Sequence, residues 1–168
     1  MPRAVHGAAV AAMLLLLPAC FTSDANLTES GKGRPVLTIE FPEVSEPESV
    51  KDAVLEVTNP GPEDMQTVAV AFALVGPAAG QIEFPNILVP FGMGRDNPAI
   101  AEVEPEPEAI SDDGAVYFFG PLAEDASLTI TFSIVVPDET GVAANSVQVY
   151  DGGEIDRAKG IRLETLVE

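Results

Sequence analysis

The sequence predicts an all-β fold, a two-sheet sandwich of about seven to nine strands. Three observations carry this expectation. Apolar and polar residues alternate with period two from Val36 onward. Clusters of Pro, Gly, Asn and Asp interrupt the alternation roughly every ten residues. Nothing after the first twenty residues sustains the apolar stripe of a helix.

In Val36–Phe41, Leu37, Ile39 and Phe41 share one face while Thr38 and Glu40 face away. The stretch from Pro42 to Pro47 breaks the run. Val50–Thr58 resumes it, with Ala53, Leu55 and Val57 inward, and Asn59-Pro60-Gly61-Pro62 is dense turn chemistry. Met65–Val75 places Val68, Val70, Phe72 and Leu74 on one face and alanines on the other. Its β-branched residues and flanking Pro and Gly favour a strand over a helix. From Gly76 to Pro98 short apolar pieces, Ile82–Phe84 and Ile87–Phe91, are cut up by prolines and glycines. Glu102, Glu104, Glu106 and Glu108 then alternate with Val103, Pro105 and Pro107, the pattern of a solvated edge that resists pairing with other chains. Asp112-Asp113-Gly114 turns the chain into a short aromatic strand, Ala115–Phe119. Ser127–Val136 is the clearest strand, with Leu128, Ile130, Phe132, Ile134 and Val136 on one face. Val147–Tyr150 and Ile161–Val167 complete the set.

The N-terminus follows different rules. Ala8–Leu17 is an apolar run of signal-peptide length, too short to span a bilayer. Leu17-Pro18-Ala19-Cys20 resembles the lipobox of bacterial lipoproteins, although Pro18 departs from the usual residue there. The resemblance implies cleavage before Cys20 and a lipid on its thiol. Membrane affinity grows by about 0.8 kcal/mol per buried methylene, so two or three acyl chains there make a permanent anchor. The expected organisation is a signal peptide over residues 1–19, a lipidated Cys20 with a flexible tether over 20–35, and one domain over 36–168. A tether of that length has an r.m.s. reach of about 20 Å. The expected location is the cell membrane or, in a Gram-negative host, the outer membrane; Phe21 stands where Asp would imply inner-membrane retention.

Composition narrows the function. With 27 acidic against 8 basic residues the net charge is −19, a surface that repels phosphate backbones and argues against nucleic acid as a partner. The single histidine, His6, and the single cysteine both lie in the first twenty residues. The mature chain therefore lacks Ser-His-Asp and Cys-His nucleophilic machinery and any site built on His or several Cys. No glycine-rich phosphate loop is present.

Two patches of the sandwich look familiar. Val57-Thr58-Asn59-Pro60-Gly61-Pro62 leading into Val68-Ala69-Val70 is similar to a turn-and-strand step of immunoglobulin-like surface modules of bacteria. Gly120-Pro121-Leu122-Ala123, Leu128–Phe132, Val136-Pro137 and Gly141–Asn145 resemble their later strand pair. The group includes the cell-adhesion-related, CARDB-like repeats, with cohesin-like sandwiches as a second possibility. The resemblance implies an immunoglobulin-like sandwich and a role in adhesion or scaffolding, without naming a ligand.

Candidate sites are few. Asp151, Glu154 and Asp156 cluster with Gly152 and Gly153 as calcium-loop residues do, yet without EF-hand spacing, so a glycine-rich turn is the competing reading. Phe84 and Phe91 lie in an apolar loop that either fills core or meets a partner, and Tyr117 and Tyr150 are the only tyrosines available to stack on a glycan. Carboxylate pairs for sugar hydrolysis are not singled out by any spacing. The expected function is therefore non-catalytic: a lipid-anchored envelope protein acting by contact with another envelope or extracellular protein, without a cofactor. A glycan or small-ligand binder is the alternative, and a carboxylate-dependent hydrolase the more distant one.

Overall fold

A computed structural model describes residues 34–74, 88–90, 100–112 and 114–168. The described chain is an immunoglobulin-like β-sandwich of two sheets. Its strands in chain order are β1 (Val36–Glu40), β2 (Val44–Ser45), β3 (Val50–Thr58), β4 (Val68–Leu74), β5 (Val89–Pro90) and β6 (Ile100–Glu104). They continue with β7 (Ala109–Ile110), β8 (Val116–Phe119), β9 (Ser127–Val135), β10 (Gly141–Asp151) and β11 (Lys159–Val167). One sheet runs β1-β3-β9-β6 and the other β2-β11-β10-β4-β8-β7, with β5 added to β10. Three of the eleven described strands are two-residue pieces, and the longer ones number eight, within the expected range.

The period-two pattern produces the interior directly. Ala53, Leu55 and Val57 of β3 meet Ile130, Phe132 and Ile134 of β9 on the inner face of the small sheet. Val68, Val70 and Phe72 of β4, Val147 and Val149 of β10 and Leu163 of β11 line the facing sheet. Between them three rings interlock edge to face. Phe132 reaches across to Phe72 at 5.0 Å and to Tyr117 at 5.4 Å between centroids, and Phe72 and Tyr117 lie 6.2 Å apart. Such geometry sets ring edges, which are positive, against negative ring faces.

Proline shapes both sides of the sandwich. β1 pairs with β3 in the small sheet; after Phe41-Pro42 the chain crosses, and β2 pairs parallel with β11 in the large sheet. On the other side β6 pairs with β9, and after Pro105 and Pro107 β7 pairs with β8 in the large sheet. The acidic stretch around Glu102 and Glu104 is an edge strand, as its sequence predicts.

One expectation needs correction, and one face needs an account. The strand expected over Val147–Tyr150 extends over Gly141–Asp151, because β11 pairs along nearly its whole length while β4 and β5 share the other side. The alternation of β4 sets its alanines on the other face, and there Ala69 and Ala71 are buried. Tyr150 and the half-buried Val116 and Phe118 close over them in a second, smaller apolar cluster.

Candidate functional site

The chain enters the sandwich at Pro35, and the loops at that end gather Asp151, Glu154 and Asp156, three of the candidate site residues. Asn59 organises them. Its side chain is 2% exposed, its Nδ2 donates to the carbonyls of Glu63 (2.9 Å) and Leu122 (3.0 Å), and its Oδ1 accepts the Gly61 N–H (3.0 Å). Gly61 sits at φ +75°, where a glycine is favoured. Asn59 thereby ties the Asn59–Pro62 turn to Gly120–Ala123, the two patches that carry the family resemblance, and the Met65–Leu122 backbone pair adds to the join.

Asp151 closes β10 at the same end. Its Oδ1 accepts the N–H groups of Gln66 (2.7 Å) and Thr67 (3.0 Å), so this carboxylate anchors the approach to β4. Gly152, at φ +54°, then turns the chain into a short 3-10 turn, Ile155–Arg157. Glu154 pairs with Arg157 at 3.0 Å across that turn, and Asp156 is exposed within it. A small pocket is lined by Pro35, Glu63, Asp64, Met65, Asp151, Glu154 and Arg157. Asp64 also accepts the Glu124 N–H at 2.9 Å. The glycine-rich stretch is thus a strand connection whose acids hold loops together, and sequence reasoning had not connected it to Glu63 and Asp64. None of these five acidic residues is buried. Among the described residues, no group of three or more His, Cys, Asp or Glu is placed to hold a metal ion.

The remaining candidates fall elsewhere. Tyr117 is a core residue, 5% exposed, and burial raises its phenol pKa above 10.0. Tyr150, 6% exposed, belongs to the outer alanine cluster, so neither tyrosine offers an open ring face. Cys20, Phe84 and Phe91 lie outside the described residues, as do the stretches expected to be a signal peptide and a tether, up to residue 33. At Asp112 and Gly114, where the sequence predicts a turn, the Gly114 N–H is donated to the Ser111 carbonyl at 2.8 Å; Asp113 lies outside the described residues.

A second buried amide escaped the sequence reading. Asn145 faces inward from β10 where the partner strand changes from β4 to β5. Its Oδ1 accepts the Leu88 N–H and its Nδ2 donates to the Ala73 carbonyl at 3.3 Å. The signal was available: Asn145 shares the inward parity of Ala143 and Val147, and a polar residue there must find partners. The other buried polar side chains among the described residues are Asn59, Ser45 and Thr165, and the last two bond each other at 2.9 Å.

No family model and no curated protein matches the chain. Among solved structures it is similar to an ASH/PapD-like domain of human CEP192, at 14% identity and a TM-score of 0.49, covering 96% of this chain and 98% of that one. It is also similar to the CARDB domain of a Pyrococcus furiosus protein solved with di-metal ions, at 13% identity and a TM-score of 0.44, covering 80% and 96%. A human F-spondin reeler domain aligns at 11% identity and 0.44, covering 79% and 92%. These likenesses concern fold alone; the strand pairing described above is what makes the chain an immunoglobulin-like sandwich.

Proposed function

We infer that this chain is a lipid-anchored cell-envelope protein whose sandwich domain is non-catalytic and acts by surface contact with another envelope or extracellular protein. The observation that carries the reading is how the interior is used. The residues with polar side chains that are buried as a whole among those described, Ser45, Asn59, Asn145 and Thr165, are amides or hydroxyls bonded within the fold, whereas Glu139, a half-buried residue, has one carboxylate oxygen shielded from water. Sugar hydrolysis by paired acids needs one carboxyl in a dry, apolar setting beside its substrate. The carboxylates of the entry-end pocket are exposed or half-exposed, and Asp64 and Asp151 accept backbone N–H groups while Glu154 faces Arg157. Among the described residues the interior is packed with apolar side chains and these bonded groups, which favours the surface as the place where the domain acts.

The anchor is supported by Leu17-Pro18-Ala19-Cys20 behind an apolar run. Cys20→Ser should abolish labelling by palmitate and release the protein from the membrane fraction. A wild type that takes up no label and is secreted free would end the anchor reading. Crosslinking in whole cells with mass spectrometry tests the function. A recurrent protein neighbour is expected, whereas a glycan-array signal without any neighbour would replace surface contact with the glycan-binding alternative.

A further inference from the structure

The two outer faces of the sandwich differ. Along its middle, that of the small sheet is a ladder of hydroxyls and acids, with Thr38 and Glu56, Thr58 and Ser127, and Ser133 and Asp52 hydrogen-bonded across strands, while Val36 and Val50, the first residues of β1 and β3, are exposed singly at its ends. Such a face is well served by water. On the large sheet, one cross-strand row departs from this. Val44 of β2 stands opposite Leu166 of β11, and Leu166 stands opposite Val142 of β10. All three point outward, since Ser45, Ala143, Thr165 and Val167, their neighbours in sequence, are buried. They are 50%, 40% and 41% exposed. Isolated apolar side chains on a surface are ordinary, but three large ones adjoining across three strands form a continuous patch. The rest of that outer face along β11 and β10 is Gly160, Arg162, which pairs with Glu164, and Ala144, Ser146, Gln148 and Tyr150, the last of which closes over the outer alanines of β4.

The row's position and surroundings say what fits it. It lies at the end of the sandwich opposite Pro35, because β1 begins beside Thr58 while Val167 pairs with Gly141 at the far end. Whatever precedes Pro35 therefore leaves from the other end. Exposed carboxylates surround the patch: Glu43 and Glu46 flank Val44, and Glu164 and Glu168 lie on either side of Leu166 along β11. A second copy of a chain with net charge −19 would bring the same acids against them, and an anionic lipid surface would be repelled likewise. A basic rim on the partner would be attracted.

We propose that Val44, Leu166 and Val142 form a docking site for a partner protein that inserts an apolar side chain ringed by lysine or arginine. This deepens the surface-contact reading and rests on it. Leu166 supplies the centre of the contact, and Glu43 and Glu168 steer the basic rim onto it.

The test places a photo-crosslinking phenylalanine derivative, one position at a time, at Val44, Val142 or Leu166 of the full chain in its native cells. Glu56 and Thr129, on the outer face of the small sheet, serve as controls. One protein should be captured from all three patch positions and from neither control, through a segment with an apolar residue between basic ones. A synthetic peptide of that segment should bind the purified chain about tenfold or more weakly after Leu166→Lys, and comparably after Val142→Lys. Unchanged thermal unfolding shows that each variant is folded. The Glu43→Gln, Glu168→Gln double variant should flatten the salt dependence of binding. Adducts from Glu56 or Thr129 alone would overturn the patch and leave surface contact standing. Adducts with lipid, with a second copy or with an acidic segment would overturn the stated partner. No protein adduct at any position would overturn both readings.

Discussion

Removing the Asn59 side chain should cost more than any surface change at the entry end. Its amide makes three hydrogen bonds to backbone groups of two loops, and it is 2% exposed, so water cannot replace them. At about 1 kcal/mol net per bond, Asn59→Ala should destabilise the domain by about 3 kcal/mol. That is a large part of the 5–15 kcal/mol by which a domain of this size is typically stable. Asn59→Asp separates the contributions. The aspartate keeps an acceptor for the Gly61 N–H but sets a carboxylate against the carbonyls of Glu63 and Leu122, so ionisation is disfavoured in the folded state. The folded pKa then lies above the unfolded value of about 3.9. A folded state that holds its proton longer loses stability as pH rises, so this variant should weaken between about pH 4 and pH 7 relative to the wild type. Urea denaturation followed by far-UV circular dichroism measures both effects. A loss under about 1 kcal/mol for Asn59→Ala, or an aspartate variant that tracks the wild type at every pH, would refute the argument.

Three further outcomes follow from the interior. Asn145→Leu leaves the Leu88 N–H buried without its acceptor and should cost about 1–3 kcal/mol in urea midpoint terms; an unchanged midpoint would show that this amide does not hold β5 to β10. Phe132→Ala removes the ring that both Phe72 and Tyr117 meet and should cost about 3–5 kcal/mol, whereas Phe132→Leu should cost clearly less, and equal losses would discount the ring geometry. Burial raises the Tyr117 pKa above 10.0, so its share of stability is intact below about pH 10 and is lost as pH rises beyond it. Tyr117→Phe should lessen that alkaline decline, and parallel curves for variant and wild type would count against it.

The elements most legible in the sequence were those where one face alone is buried. β3 and β9 alternate cleanly, and their boundaries and inward residues could be read to within a residue. β10 was under-read for a physical reason. Ala143, Ala144, Asn145 and Ser146 have little intrinsic preference for a strand, and their extended conformation is imposed by β11 on one side and by β4 and β5 on the other. β2 and β7 have two residues each, too few for a period, and exist because an adjoining strand offers an edge. The candidate site suffered from the same limit. The glycines and acids of Asp151–Asp156 announced a turn, but Asp151 bonds to N–H groups more than eighty positions away in sequence. Tyr117 looked available as an aromatic platform because inward parity alone does not say how completely a ring is covered.

Edge chemistry narrows where a partner can approach. A sandwich of this kind has two open flanks on which a foreign strand could add. Here each flank is a segment that leaves one sheet for the other across proline, at Pro42 on one side and at Pro105 and Pro107 on the other. Glu40 and Glu43 border the first crossing, and Glu102, Glu104, Glu106 and Glu108 border the second. Proline lacks the donor a ladder needs, and repeated carboxylates repel copies of the same edge. Strand addition is thus disfavoured on both flanks, and the middle of the small sheet's outer face is committed to hydroxyl and carboxylate pairs that water already satisfies, with single valines exposed at the starts of β1 and β3. The loops at Pro35 are tied down by Asn59 and Asp151. The Val44–Leu166–Val142 row, by contrast, gains by leaving water, and it lies at the end farthest from where the chain enters. Under the proposed anchor at Cys20, that end would be the one turned toward an approaching protein.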